Sequence, residues 1–187
     1  MNEIMIKFGL SQLKDKKRII IWNDRDNYKK HIEQYFEFKD YMCADTNDGN
    51  INMLSLEETR KCEEHKYMTL KDMEQNICHE FVHSCQQELQ QESIGYDIVW
   101  FWEALATNMG NPEQFELIEI ADVSEINDFN NMNNNYPIAF TIGKYMLENI
   151  DMNKIIEYIK YPKILKNDEE IILDNAIEWS KKIQKGG

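Results

Sequence analysis

The sequence predicts an α+β fold in a single domain over residues 1–187, with a small mixed sheet in residues 1–68 and a mainly helical part, carrying the functional site, in residues 69–187. Three observations predict it. Two short runs in the first third, Lys17-Arg18-Ile19-Ile20-Ile21-Trp22 and Ile51-Asn52-Met53-Leu54-Ser55-Leu56, have the β-branched content or partial alternation of strands. From Leu70 onward, apolar residues recur in steps of three and four, the period of a helix face. No repeat, linker or low-complexity tract divides the chain, and its length suits one substantial core.

Residues 1–16 carry no decisive pattern. The first strand ends at the turn formers Asn23-Asp24-Arg25-Asp26. From Tyr28 to about Tyr41, the spacing of Ile32, Tyr35, Phe36, Phe38 and Lys39 predicts an amphipathic helix with its aromatic rings in the core. His31 reads as an ordinary surface or half-buried histidine. Asp45-Thr46-Asn47-Asp48-Gly49-Asn50 is turn chemistry, and the strand after it alternates as one exposed on a single face would. Residues 57–68 are charged and include His65, to which no role is assigned.

Thr69 and Asp72 form a capping box for a helix whose buried face is Leu70, Met73, Ile77, Phe81, Cys85 and Leu89. Within it lies His79-Glu80-Phe81-Val82-His83, an HExxH motif. Residues four apart on a helix stand one turn above each other, so His79 and His83 can aim both imidazoles at a single point. A catalytic zinc site needs a third protein ligand and an open fourth position. Glu103 supplies a candidate, as a lone carboxylate in Val99-Trp100-Phe101-Trp102-Glu103-Ala104-Leu105-Ala106, where a charge costs free energy unless something pairs with it. A turn near Gly95 and a helix start near Asp97 would bring it alongside the histidines.

Gly110-Asn111-Pro112 closes that second helix, the glycine by C-cap preference and the proline because it cannot continue the helix. Residues 113–135, acidic and then Asn-rich, read as a surface loop with one short helix that walls or covers a cleft. Pro137 suits the first turn of a helix running to about Asn149, with Tyr136 at its mouth. A short helix from Asn153 to Tyr161 follows. Asn167, with Glu170 three residues on, opens an amphipathic terminal helix through Ile171, Ile172, Ala176, Ile177 and Trp179.

The formal charge of −13, from 21 Lys and Arg against 34 Asp and Glu, argues against nucleic acid and anionic membranes and attracts cationic substrates. No run is long and apolar enough to span a bilayer, and the opening Met1-Asn2-Glu3-Ile4-Met5-Ile6-Lys7 lacks signal-peptide character. A cytoplasmic location is expected, although a removed leader would leave the same trace. Cys43, Cys62, Cys78 and Cys85 are expected as free thiols, with Cys78 and Cys85 as small core residues of the HExxH helix. Cys85 could instead face the site and serve as an inhibitory thiolate ligand.

The HExxH helix and the Glu103 helix together resemble the gluzincin zinc metallopeptidases, in which one helix carries HExxH and a second supplies a glutamate. The interval from His83 to Glu103 is similar to that of the thermolysin-like members, Trp100 to Ala106 resembles the aminopeptidase-like branch, and Gln86 fits a common form of the motif. The resemblance is specific over residues 69–110 and looser over 136–147. It implies Zn2+ held by His79, His83 and Glu103, with Glu80 as general base toward a metal-activated water. Tyr136, in Tyr136-Pro137-Ile138-Ala139-Phe140-Thr141-Ile142-Gly143-Lys144-Tyr145, is implied as the tyrosine that stabilises the tetrahedral intermediate. It also implies that the strand 51–56 is an edge that pairs with substrate backbone. The aspartate that thermolysin-like enzymes place four residues after the glutamate is Thr107 here, which leaves Asn108 or a backbone carbonyl to orient a ligand.

The expected function is therefore zinc-dependent hydrolysis of peptide or protein substrates, with endopeptidase slightly preferred over exopeptidase. Two alternatives stay open: a regulatory or toxin-like protease that cuts one partner, and a non-catalytic zinc-stabilised interaction module.

Overall fold

The computed structural model describes residues 1–92, 98–121, 123, 124, 126 and 135–185. Its architecture is α+β, a three-stranded mixed sheet with helices making up most of the rest. The indeterminate N-terminus forms helix α1 (Asn2–Lys7), which buries Ile4 and the following Phe8. Strand β1 is Ile19–Trp22.

Helix α2 is Arg25–Ile32, earlier and shorter than its aromatic spacing predicts. Asp24 starts it by accepting a hydrogen bond from the Asn27 amide at 2.8 Å. Tyr28 and Ile32 are fully buried, whereas Tyr35 and Phe36 are 47% and 42% exposed, so no core-facing stripe continues past Ile32 to hold another turn. His31 is buried rather than superficial, stacked near Trp22 and Tyr28 with Nε2 3.4 Å from Asp45 Oδ1.

Strands β2 (Ala44–Asp45) and β3 (Ile51–Leu54) complete the sheet in the order β1-β3-β2. β1 runs parallel to β3 with Ile19 opposite Ile51, and β2 runs antiparallel with Ala44 opposite Met53. The segment expected as the edge is thus the centre, and all four of its residues are buried. Asn52 occupies what alternation marks as a solvent position; it accepts from Trp22 Nε1 at 3.0 Å and donates to Asp48 Oδ1 at 2.8 Å, which satisfies its buried amide.

Helix α3 (Leu56–Thr59) and a 3-10 turn, Glu63–His65, lead to helix α4 (Leu70–Leu89). Its capping box forms as expected: the Asp72 amide donates to Thr69 Oγ1 at 3.2 Å and the Thr69 amide to Asp72 Oδ2 at 2.7 Å. Leu70 is 62% exposed, so the buried face begins at Met73. Cys85 is fully buried in the core and does not face the site.

Helix α5 (Val99–Gly110) packs between α4 and helix α6 (Asn135–Asn149). It is apolar on nearly every side, as a helix enclosed by others must be. Trp100, Phe101 and Leu105 are fully buried, each contributing roughly 1.5–3 kcal/mol. Gly110 is the last helical residue and has no left-handed backbone, so the C-cap expectation is corrected. A Cβ at Gly110 would lie 2.4 Å from the Cα and N of His79, so this glycine permits α5 to lie against the backbone of α4 at the first histidine. Gly143 does the same between α6 and α5, where a Cβ would lie 2.3 Å from the Ala104 carbonyl oxygen.

After a 3-10 turn at Pro112–Gln114, the chain is stitched to the helices rather than loose on the surface. The Ile118 amide donates to Thr141 Oγ1 at 3.1 Å, the Ile120 amide donates to Ser180 Oγ at 3.0 Å, and Ile120 and Ile126 are buried. The expected turn at Gly95, the helix start at Asp97 and much of the Asn-rich tract lie outside the described residues. Helix α7 is Met152–Lys160, and α8 (Pro162–Lys185) begins five residues before the expected Asn167, with proline at its first position. Ile172 and Ala176 of α8 are buried, but Ile171 is 64% exposed. No described helix is long and apolar enough to cross a membrane.

Candidate metal centre

Three side chains from two helices converge. His79 and His83, one turn apart on α4, bring their Nε2 atoms within 3.1 Å of each other. Glu103 enters from α5, with Oε2 3.2 Å from His79 Nε2 and Oε1 3.5 Å from His83 Nε2. The three ligand atoms lie within 4.8 Å of one another, so the group could hold a metal ion.

Two amide relays decide which ring nitrogens are available. Gln86 Nε2 donates to the Trp102 carbonyl oxygen at 3.1 Å, so its Oε1, 2.8 Å from His83 Nδ1, is an acceptor. Gln114 Nε2 donates to the Asp72 carbonyl oxygen at 3.3 Å. Its Oε1 therefore accepts from Asn111 Nδ2 at 3.1 Å, which leaves Asn111 Oδ1 3.0 Å from His79 Nδ1. A backbone carbonyl cannot donate, so each relay assigns a proton to Nδ1 and, in the neutral ring, a lone pair to Nε2. Two lone pairs and a carboxylate then face one another at contact distance, which is repulsive unless a cation lies among them. Glu103 Oε2 is buried and faces His79 Nε2, the nitrogen that the Asn111 relay leaves without a proton in the neutral ring. These donors fit a divalent ion with two nitrogen ligands and one oxygen ligand.

The relays correct the expected partner. Asn108 donates instead to the carbonyl oxygens of Ala104 and Phe140, both at 2.8 Å, and Thr107 Oγ1 donates to the Glu103 carbonyl oxygen at 2.7 Å. Gln86 was legible in sequence, three residues beyond His83 on one helix; Asn111 is reached only through tertiary contact. Asn111→Leu should leave His79 Nδ1 without its acceptor and weaken metal binding by about 10–100-fold. Competition against a calibrated chelator measures this.

A proton competes for the same space. Burial alone would lower the basicity of His83, but the Glu103 carboxylate outweighs it and the imidazole is pushed up to about 9. Burial would likewise raise the Glu103 carboxyl, yet the His83 imidazole and contacts from both histidines hold it well below the usual carboxylate range. Metal-free, the pair contributes stability that is fully present between the unfolded values of about 4.5 for Glu103 and about 6.5 for His83, is lost as pH rises through about 9, and fades in acid as the Glu103 carboxylate is protonated. Metal binding has the opposite sign. Below about pH 9 the ion displaces the His83 proton, so affinity should fall about tenfold for each unit of acidification, as a titration across pH 6–8 would read.

The group opens onto a cleft of about 1090 Å³ that also receives Glu80 and Tyr136. Burial raises the Glu80 carboxyl, with Glu103 and Asp45 adding to the effect and the two imidazoles opposing it. The Tyr136 hydroxyl is pushed well up by burial, then by Glu103 and Glu80, so it stays protonated. Its ring stacks on Phe115 with centroids 6.0 Å apart. All five residues singled out from the sequence thus border one cleft. Sequence reasoning missed the edge strand: β2 is the terminal strand, and residues 43–47 form one wall of the cleft. It also missed His65, whose Nε2 is tied to the Tyr41 carbonyl oxygen at 2.7 Å on the same wall, and Cys43, whose thiol is pushed up to about 12 by burial and then by Glu80.

No family model matches the chain, and neither the curated proteins nor the solved structures contain a match.

Proposed function

We propose that this protein is a zinc-dependent peptidase of minimal gluzincin type that hydrolyses peptide bonds. The observation that carries the reading is the convergence of two lone-pair-bearing imidazole nitrogens and the Glu103 carboxylate in a cleft shared with Glu80 and Tyr136. Zinc with two histidines and one glutamate keeps a coordination position for water or a carbonyl and supplies Lewis-acid chemistry, lowering the pKa of water toward about 7.

The remaining steps belong to side chains of the chain. Glu80, adjacent to His79 on α4 and not one of the three converging ligands, takes the proton of the attacking water and passes it to the leaving amine. Its raised carboxyl suits both halves of that transfer. Tyr136, held protonated, donates to the oxygen on which negative charge develops. β2 is a terminal strand along the cleft, and among the described residues no further strand pairs with its outer edge, to which an extended peptide can add. That mode reads chain more than sequence and agrees with endopeptidase action.

Metal analysis combined with a mixed-peptide cleavage assay tests the reading. Near one equivalent of zinc and cleavage abolished by a chelator and restored by zinc support it. Stoichiometric zinc without cleavage of any peptide would instead favour a zinc-stabilised interaction module.

A further inference from the structure

The sheet ends in two strands, and β2 is the one that borders the cleft. β1 is the other, and among the described residues no strand pairs with its outer side. Its hydrogen bonds fix which residues face outward. The Ile51 amide donates to the Arg18 carbonyl oxygen at 2.9 Å, and the Ser55 amide donates to the Trp22 carbonyl oxygen at 2.8 Å. In a parallel ladder alternate residues turn their backbone groups toward the neighbour, so Arg18, Ile20 and Trp22 face β3. The N–H and C=O groups of Ile19 and Ile21 therefore point outward, where a further strand can bond them.

Nothing in the strand blunts this edge. β1 is Ile19-Ile20-Ile21-Trp22, without proline or charge, and Ile19 and Ile21 are 49% and 40% exposed. Exposed apolar side chains on a free edge are a template for pairing with another chain. The flanks say which chain. Residues 14–18 carry four cations against one carboxylate, and residues 24–26 carry two carboxylates against one cation. Lys14 is paired with Glu88 and Arg25 is turned to Asp40, whereas Lys16, Lys17, Arg18, Asp24 and Asp26 enter no ion pair among the described residues.

A strand with a basic start and an acidic end is complementary to itself when two copies run antiparallel, and mismatched when they run parallel. One register overlaps all of β1: Ile19 exchanges its outward hydrogen bonds with Ile21 of a second copy, and Ile20 sits on the two-fold axis. Each face then meets its complement. On one face Ile19 and Ile21 of both copies close into a single apolar patch. On the other, Arg18 of the second copy falls opposite Trp22, and its Lys16 falls opposite Asp24. A groove of about 410 Å³ lies there between β1 and α2, with Trp22, Asp24, Asn27, Lys30, His31 and Gln34 among its walls. The Trp22 ring and the Asp24 carboxylate suit a guanidinium entering it.

We propose that the protein self-associates as a two-fold dimer through antiparallel pairing of β1 with β1 of a second copy. The two three-stranded sheets become one of six strands, with β2 and its cleft at each far end, so both clefts stay open. The inference does not depend on the peptidase reading. Four residues of each copy make a small interface, so the dimer forms and dissociates with concentration instead of being obligate.

Sedimentation equilibrium of the full chain in low salt, from about 1 μM to about 1 mM, tests the association, and residue-resolved amide exchange tests where it occurs. A monomer–dimer equilibrium is expected. The Ile19 and Ile21 amides should exchange more slowly as the dimer fraction rises, while those of Ile20 and Trp22, which face β3, change little. Ile21→Lys should raise the dissociation constant about tenfold by placing a charge in the apolar patch on each side of the axis. Lys16→Glu should raise it about fivefold and invert the salt response: added salt weakens the wild-type dimer and strengthens that of the variant, whose like charges it screens. Should Ile21→Lys fail to fold, the exposed Lys16→Glu variant and the wild-type exchange pattern still decide. A dimer indifferent to both substitutions, or one whose Ile19 and Ile21 amides exchange as fast as in the monomer, would overturn the inference. A chain that stays monomeric to about 1 mM would overturn it too and leave the β1 edge to a strand of a different protein.

Discussion

Glu80→Gln should retain zinc at wild-type stoichiometry while lowering peptide hydrolysis by about 10²–10⁴-fold. Loss of a positioned general base has that magnitude. The amide keeps the shape of the side chain and its place on α4 beside His79, but it cannot accept and return a proton at neutral pH. Metal content and kcat/KM measured on the same preparation read the two effects separately. A variant that lost zinc with its activity would put Glu80 in the ligand set; one that kept full activity would remove it from the chemistry.

Gly110→Ala should destabilise the protein by about 3 kcal/mol and weaken metal binding with it, a large effect for one methyl group. The added Cβ would be 2.4 Å from the backbone N and Cα of His79, and backbone atoms in the middle of a helix cannot swing aside. The α4–α5 contact must open instead, and overpacking of this kind costs about 1–3 kcal/mol. Because α5 carries Glu103 and α4 both histidines, the same opening pulls the carboxylate from the imidazoles. Denaturant unfolding of the metal-free protein isolates the packing term, and chelator competition isolates the site. Unchanged stability would show that α5 does not lie so close to α4.

Features whose determinants are local were legible in the sequence. The Thr69–Asp72 box, the i to i+4 placement of His79 and His83, the isolated charge of Glu103 in an apolar helix and the β-branched strand at Ile19–Trp22 each depend on residues near one another in the chain. Features decided by three-dimensional neighbours were not. β2 is two residues long and has no period, so nothing local marks it as the edge or makes Ile51–Leu54 the centre. Asn52 passes as an outward residue until Trp22 and Asp48 are seen to satisfy it. Gly110 carries a C-cap signal but serves a backbone crossing, and Asn111 and Gln114 join the site through a relay that returns to Asp72. Amide side chains in such relays leave no spacing rule to find.

If His79, His83 and Glu103 hold one ion between them, anomalous diffraction at the zinc edge from a crystal grown with zinc will locate it there. A single strong peak is expected at about 2.0–2.2 Å from His79 Nε2, His83 Nε2 and a Glu103 carboxylate oxygen, with no fourth protein ligand. A peak elsewhere on the chain, or a Glu103 side chain turned away from the two imidazoles in the presence of zinc, would contradict it.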